Sequence, residues 1–565
     1  MVTRLPPYNC ARMPVFTAGK ARTLTGPSPG ATAATIPGAS RERGAWTQAS
    51  SARAGPEVAK SANMSRIRAV HRRFIVQPVS HGGDEVVIIY SSAFCPAFRR
   101  RAHNAWNTNE SRMTTFQNET DAVTYIFRSL RKLRGQPRGP DELTRDISPT
   151  VRLAQAADLF AHSREYAVVT GSKGKGSTTA ITAKLLQSLG HTVGMITSPH
   201  LVSYRERIRV NGRAIPEADL CRILGELSPE IDAIEATLRE QQYFSPQGIF
   251  LAIALRWFDE QGVNVAVLEV GRGGRFDDIS VVPNHVSMFT PIMLEHTQQL
   301  GRSLARIAWH KAGIIKPMGY AYSVPQPTEV LTVLQAEADA VNAEFFWIAP
   351  LDMGEYRGMT PRGIRMALGR YGEMELALMG KYQVANATLA VQGAGSLHGR
   401  LPGIPHGSPE YVAAIRHGLE TVVWPGRCQL LQESPRVYVD GAINAESARS
   451  LVESLQGRIT EPAAAIVCVP DDKDYDGVYR EIGLAVDSLI LTETQRNITL
   501  HFPDRDTALQ LAQRYNPDSV FAPTLEAAVA EAKARVGSAG TILIVGTQSI
   551  VADAIQMWGL SYEQI

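Results

Sequence analysis

Between Val169 and Thr178 the chain sets three glycines and two lysines in Gly171-Ser172-Lys173-Gly174-Lys175-Gly176-Ser177-Thr178, directly after an apolar run beginning at Tyr166. Glycines let backbone N–H groups curl around an anion, and a following helix adds its unpaired amides and dipole. Lys175 supplies a full positive charge for outer phosphates, and the hydroxyl of Ser177 or Thr178 can reach a bound Mg2+. The segment departs from the strict G-x-x-x-x-G-K-[ST] pattern: Val169 stands at the first glycine and Gly176 at the hydroxyl. Read alone, it fits a phosphate loop and a glycine-rich helix cap equally well.

Three more groups follow strand-like runs: Thr197-Ser198-Pro199-His200, Glu269 opening onto Val270-Gly271-Arg272-Gly273-Gly274, and Glu295-His296-Thr297. A carboxylate at Glu269, among Val265, Val267, Leu268 and Val270, is costly to bury without a cation. A hydroxyl, a carboxylate and an imidazole beside a phosphate loop make a Mg2+ shell, although imidazole is an unusual ligand for that ion. Each motif alone also reads as a strand-end cap. Their order behind a phosphate loop favours a site.

The elements that must position these groups follow from periodicity. Short β-rich runs at 167–170, 192–196, 263–270 and 286–290 alternate with helical patterns at 180–189, 249–259 and 304–312. Such alternation predicts an α/β fold with a mainly parallel sheet, functional groups lying at the carboxyl ends of its strands. Runs at 437–439, 465–469, 489–491 and 542–545 predict a smaller Rossmann-like α/β domain without a dinucleotide fingerprint. A hinge is expected in the Pro- and Gly-rich stretch 400–423.

With 565 residues, two or more domains are expected. The net charge of +3 divides unevenly, with 16 Lys+Arg against 5 Asp+Glu over residues 1–112 and 42 against 50 over the remainder. The body therefore gives no sign of nucleic-acid binding. Residues 1–112 read as a basic, low-complexity head: disordered, transit-like, or an over-extended start ahead of Met64 or Met113, with a strand or small domain around 86–98 as the other reading. A helical pattern begins after Met113 at Ala122, Tyr125, Ile126 and Leu130. No apolar run is long enough for a membrane span. Cys10, Cys95, Cys221, Cys428 and Cys468 lack any C-x-x-C spacing, which suggests a reducing compartment and no zinc site. A cytoplasmic monomer is expected, with organelle targeting if the head is a transit peptide.

A longer series of segments now becomes informative: TGSKGKGST (170–178), TSPHLVSYRERIRVNG (197–212), LEVGRGGRFD (268–277), EHTQQLGRSLARIAWHKAGIIKP (295–317), GKYQVANATLAV (380–391), WPGR (424–427), DGAIN (440–444) and DDKDYDG (471–477). In this order they resemble the folylpolyglutamate synthase and dihydrofolate synthase family of the Mur ligase superfamily. The resemblance implies a Mur-ligase-type P-loop ATPase domain over 113–420 and a C-terminal glutamate-ligase domain over 421–565. It implies ATP-dependent joining of L-glutamate to a folate-type acid through an acyl phosphate. The alternatives are a Mur-type ligase for another acid and a non-ligating nucleotide-binding scaffold. By motif position, Ser177, Ser198, Glu269 and His296 would hold Mg2+, and Lys175, His296 and Lys311 would be catalytic. Lys311 falls where the family carries a carbamylated lysine. Residues 171–178, Gln383, Asn386, Arg427 and Asp440 would surround ATP.

Several positions depart from the family pattern. Ile443 replaces the histidine of DGAHN, and Tyr382 the histidine of HQ-x-x-N. LDATN reads Phe276-Asp277-Asp278-Ile279-Ser280, and GLDHT reads Met293-Leu294-Glu295-His296-Thr297. The helix motif FFEFLTA reads Pro246-Gln247-Gly248-Ile249-Phe250-Leu251-Ala252 and lacks its glutamate.

Overall fold

A computed structural model describes residues 113–133, 135, 139–497 and 500–565. The basic head, including the strand expected at 86–98, lies outside the described residues. The first sheet has eight strands: β1 (Glu165–Thr170), β2 (Val193–Ile196), β3 (Ile208–Val210), β4 (Arg213–Ala214), β5 (Val265–Glu269), β6 (Val286–Phe289), β7 (Tyr320–Ser323) and β8 (Glu344–Trp347). Their order is β4-β3-β2-β5-β1-β6-β7-β8. From β2 to β8 every neighbouring pair is parallel, and β3 and β4 add an antiparallel edge. Strands covered on both faces need no polar alternation, which is why β5 reads Val-Ala-Val-Leu and is buried throughout.

One face packs against the Glu217–Glu235, Pro246–Glu260 and Leu304–Ala312 helices. The other packs against Lys175–Ser188, Gln383–His398 and Pro409–Thr421, together with a small antiparallel sheet of β9 (Glu355–Met359), β10 (Ile364–Ala367) and β11 (Glu373–Leu376). The helical pattern expected after Met113 forms Glu119–Ile126, capped by the Asn118 side chain on Asp121 N.

Within the stretch expected to be a hinge, residues 409–421 form a helix, so the loop reading does not hold for that part. Ser408 caps the Pro409–Thr421 helix, and Pro409 occupies its first turn, where a missing N–H costs nothing. Tyr411, Ile415, Gly418 and Leu419 then form one buried face. At Gly418 an added Cβ would stand 3.0 Å from Leu185, so this helix packs closely on Lys175–Ser188. Non-helical segments remain on both sides of this helix, at 400–408 and at 422–428.

The last sheet contains β12 (Gln429–Glu433), β13 (Arg436–Asp440), β14 (Ala463–Cys468), β15 (Ser488–Leu491), β16 (Ser519–Phe521) and β17 (Thr541–Gly546). Its order is β12-β13-β17-β14-β15-β16, with only β12 antiparallel. This is the Rossmann-like arrangement expected. The chain end returns to the first sheet: Ala214 N donates to Glu563 O at 2.8 Å, and Ile565 N to Gly212 O at 3.1 Å. Buried Arg209 also donates to the Glu563 carbonyl at 2.9 Å. Among the described residues Cys221, Cys428 and Cys468 are free and buried.

Candidate active site

β1 ends at Thr170, and the next helix starts at Lys175 with Gly174 as its N-cap, in the left-handed region at φ +85°. No side chain caps this 14-residue helix, so its first N–H groups remain available to an anion. Glycine is required here for packing as well as conformation. A Cβ on Gly171 would lie 1.8 Å from Thr290 Oγ1, and one on Gly174 2.3 Å from Asn386 Oδ1. At Gly176, where the strict pattern has a hydroxyl, a Cβ would approach Trp424 to 2.9 Å. The loop thus touches the 422–428 connection directly.

Two lysines converge on one carbonyl. Lys175 Nζ donates to Gly171 O at 3.0 Å, and Lys311 Nζ to the same oxygen at 2.8 Å. Lys311 comes from the last turn of the Leu304–Ala312 helix and pairs with Glu295 at 2.9 Å. Burial pushes the Lys311 amine down to about 8, against the pull of Glu295. Burial would raise the Glu295 carboxyl, but Lys311 and Lys175 outweigh it and hold it below the usual range. This pairing went unread in the sequence, although Glu295 stood out as a longer acid than the family pattern carries.

Glu269 ends β5, buried, with Oε2 accepting from Ser198 N at 3.0 Å. Burial raises its carboxyl to about 7, with Lys175 and the Ser198 N–H pulling the other way. Among the described residues it makes no ion pair, and Lys175, Arg427 and Arg207 act on it only at longer range. Ser177 Oγ faces Gln383 Nε2 at 3.5 Å, and Asn386 Nδ2 donates to Gln383 Oε1 at 2.8 Å. Gln383 and Asn386 therefore line the loop from the Gln383–His398 helix. Ser172 Oγ accepts from Met293 N at 3.0 Å, tying the loop to the segment that carries His296. His296 adopts φ +46° at an exposed position; desolvation lowers its pKa, and Glu295 opposes the shift. Lys175 acts electrostatically on both Glu269 and His296.

These donors fit the expected ion. Ser177, Ser198 and Glu269 offer hard oxygens, and no three His, Cys, Asp or Glu side chains cluster as a metal centre among the described residues. Magnesium is usually held in this way, by one or two carboxylates plus water and phosphate oxygens.

The second Rossmann-like unit supplies Asp440, the last residue of β13. It accepts from Cys428 N at 2.7 Å; burial raises its pKa, and Arg427 opposes the rise. Burial raises the Tyr382 pKa, and the charge of Asp440 adds to the rise, so the phenol that replaces the family histidine is coupled electrostatically to the smaller unit. With its amide oxygen turned toward Arg427, Gln548 accepts from Nη2 at 2.6 Å and Nη1 at 3.1 Å. Lys173 is electrostatically coupled to Arg427, Glu295 and Asp440, and burial lowers its pKa. In the DGAIN segment, Asn444 caps the Ala445–Ser454 helix. Gln548 carried no sequence signal. Trp424 lay within a quoted motif without a role.

A buried charge cluster stands behind the Glu269 turn. Arg145 Nη2 lies 3.3 Å from Asp277 and 3.7 Å from Asp278. Arg272 forks onto Asp141 at 2.6 and 3.0 Å. Burial raises Asp278 from 3.8 to about 6, against Arg145. Between those values the folded chain holds more protons than the unfolded one, so this group makes stability fall as pH rises from about 4 to about 6. Asp278→Asn should flatten that part of the profile, as read by urea midpoints of both proteins across the same pH range. Parallel profiles would contradict the assignment.

Comparison with known proteins adds to this geometry. A family model for the Mur ligase middle domain matches residues 169–394, and one for the Mur ligase glutamate ligase domain matches 426–548. The dihydrofolate synthase/folylpolyglutamate synthase of Bacillus subtilis is 33% identical over 323 residues, covering 56% of this chain and 73% of that protein. The mitochondrial folylpolyglutamate synthase of Bos taurus is 33% identical over 306 residues, and the chain spans only 50% of its length. Among solved structures, Mycobacterium tuberculosis folylpolyglutamate synthase complexed with ADP and AMPPCP has a TM-score of 0.66 at 25% identity, covering 78% of this chain and 99% of that one.

Proposed function

This chain belongs to the folylpolyglutamate synthase/dihydrofolate synthase family of Mur ligases, and we propose that it joins L-glutamate to a folate-type carboxylate in an ATP-dependent reaction. The observation that carries this reading is the uncapped N-terminus of the Lys175–Ser188 helix, with Lys175 and Lys311 both directed at its loop. A carboxylate is a poor electrophile until phosphorylated, and bringing it to a γ-phosphate sets two anions together. Lys175, Lys173 and Arg427 provide the opposing charge, in a site preorganised before substrates arrive. The glutamate amine then attacks the acyl phosphate, forming the amide and releasing phosphate. Mg2+, held by Ser177, Ser198, Glu269 and His296, would neutralise phosphate charge. Gln383 and Asn386 orient the loop, and Asp440 with Arg427 approaches ATP from the 421–565 domain, so that closing on the 113–420 domain excludes water.

Lys311 retains the chemistry needed for carbamylation. Burial lowers its pKa to about 8, so more of its amine is free near neutral pH than for an ordinary lysine. Carbon-13 NMR in labelled bicarbonate should show a carbamate resonance that Lys311→Arg removes; an unchanged spectrum would exclude the modification.

The function test is phosphate release by the purified chain with ATP, Mg2+, glutamate and either dihydropteroate or tetrahydrofolate. Dependence on glutamate and on one of these acids is expected. Turnover that neither acid stimulates would point to another carboxylate, and binding of ATP without turnover to a scaffold. We assign a cytoplasmic monomer without nucleic-acid or membrane partners. No helix among the described residues is long and apolar enough to cross a membrane. The mitochondrial naming of the bovine relative supports organelle targeting through the head as the alternative.

A further inference from the structure

Two of the departures from the family pattern, thirty residues apart in sequence, meet in space. The Pro246–Glu260 helix has Gly248 where the related motif has glutamate, and the segment after the Glu269 turn has Asp278 where it has alanine. A Cβ built on Gly248 would lie 3.0 Å from Asp278 Oδ1 and 1.9 Å from Thr150 Oγ1. Thr150 Oγ1 in turn donates to that same Asp278 oxygen at 2.6 Å. Against the pattern this chain resembles, a carboxylate is absent from one element at this contact and present on the facing one. A glutamate at 248 and the aspartate at 278 would compete for one volume and one cation.

We propose that Asp278 carries the carboxylate missing from Gly248, and that through Arg145 it is a positioning residue for the turn that presents Glu269 and Ser198. Asp278, Asp277 and Asp141 are each 1% exposed, so their charges require the guanidinium between them. Besides its ion pairs with Asp277, Asp278 and, at 3.9 Å, Asp141, Arg145 donates through Nη1 to the carbonyl of Arg272 at 3.4 Å. The Arg272 N–H faces Asp277 Oδ2 at 3.3 Å. This residue lies three positions beyond Glu269, so the cluster grips the turn by its backbone. At the intervening Gly271, a Cβ would lie 3.3 Å from Asp277 Oδ2 and 3.7 Å from Ser198 Oγ. Gly271 thus lies between the Asp277 carboxylate and the Ser198 hydroxyl, so the cluster and the Ser198–Glu269 pair flank the same turn. Asp278 has no contact with reacting atoms and acts through Arg145 and this turn.

The kinetic half of this inference rests on the ligase reading; the structural half does not. The experiment is a double-mutant cycle with Asp278→Ala, Gly248→Glu and the pair, read by urea unfolding and by kcat and KM for ATP. Asp278→Ala should lower kcat about tenfold by misplacing the turn, with KM for ATP within about twofold. Gly248→Glu alone should lower both stability and kcat, since it adds a second acid against Asp278. In the double variant Thr150 has lost its acceptor and can rotate its hydroxyl away, leaving its Cβ 3.1 Å from the new side chain. That variant should be more stable than Gly248→Glu and recover most of kcat. A double variant no better than the worse single one overturns the proposal. If Asp278→Ala fails to fold, Asp278→Asn with and without Gly248→Glu gives the same comparison. If the wild type shows no ligase turnover, the stability cycle still decides whether the two positions exchange one carboxylate, and that outcome would count against the ligase reading alone.

Discussion

Lys175→Ala should abolish glutamate- and folate-dependent phosphate release while leaving the protein folded. The ammonium donates to Gly171 O inside its own loop, lies at the first residue of the Lys175–Ser188 helix, and acts electrostatically on Glu269, Glu295 and His296. Removing one preorganised charge from the path of a transferring phosphoryl group typically costs about 100- to 1,000-fold in kcat. The side chain is only partly buried and makes no core contact, so thermal stability should change little. Phosphate release and a thermal unfolding curve on the same preparation check both halves. Turnover within a few-fold of wild type would remove Lys175 from the phosphoryl-transfer machinery.

Gly171→Ala should damage both fold and catalysis. The residue sits at φ +145°, and its Cβ would meet Thr290 Oγ1 at 1.8 Å, Thr290 Cβ at 2.9 Å and Thr290 O at 2.9 Å. The hydroxyl alone could rotate aside, but the carbonyl belongs to the backbone just past β6, which pairs with β1. The loop must therefore move, at a cost of about 1–3 kcal/mol from overpacking and a further 1–3 kcal/mol from strained φ. Movement also displaces the carbonyl that receives both Lys175 and Lys311. A lower urea midpoint together with a loss of kcat larger than that of a surface alanine control is the expected result. Wild-type stability would mean that the loop is more compliant than its contacts indicate. Gly190, also at positive φ, has nothing within 4 Å of a built Cβ, so the same substitution there tests φ strain without the clash.

Much of the architecture was legible because strands covered on both faces must be apolar throughout. β1, β5, β6, β14 and β17 each fall within two residues of their expected positions. Residues 409–421 misled because Pro and Gly were read as loop residues. Pro409 instead begins a helix, and Gly418 is where that helix meets Leu185. That Ser198 and Glu269 lie at strand ends and Lys311 in the last turn of a helix was likewise legible, since those patterns are local.

What the sequence determined by itself was therefore the parallel α/β framework, the phosphate loop and the family to which its motifs conform, all consequences of local periodicity and residue type. Only the tertiary structure decided how side chains distant in the chain share space and charge. Glu295 neutralises Lys311, Tyr382 is coupled electrostatically to Asp440 of the other domain, and Asp278 stands where a glutamate on the facing helix would point. A buried charge is stable only beside a partner, and that partner comes from whatever element packing brings within a few ångströms. Sequence spacing carries no record of that distance.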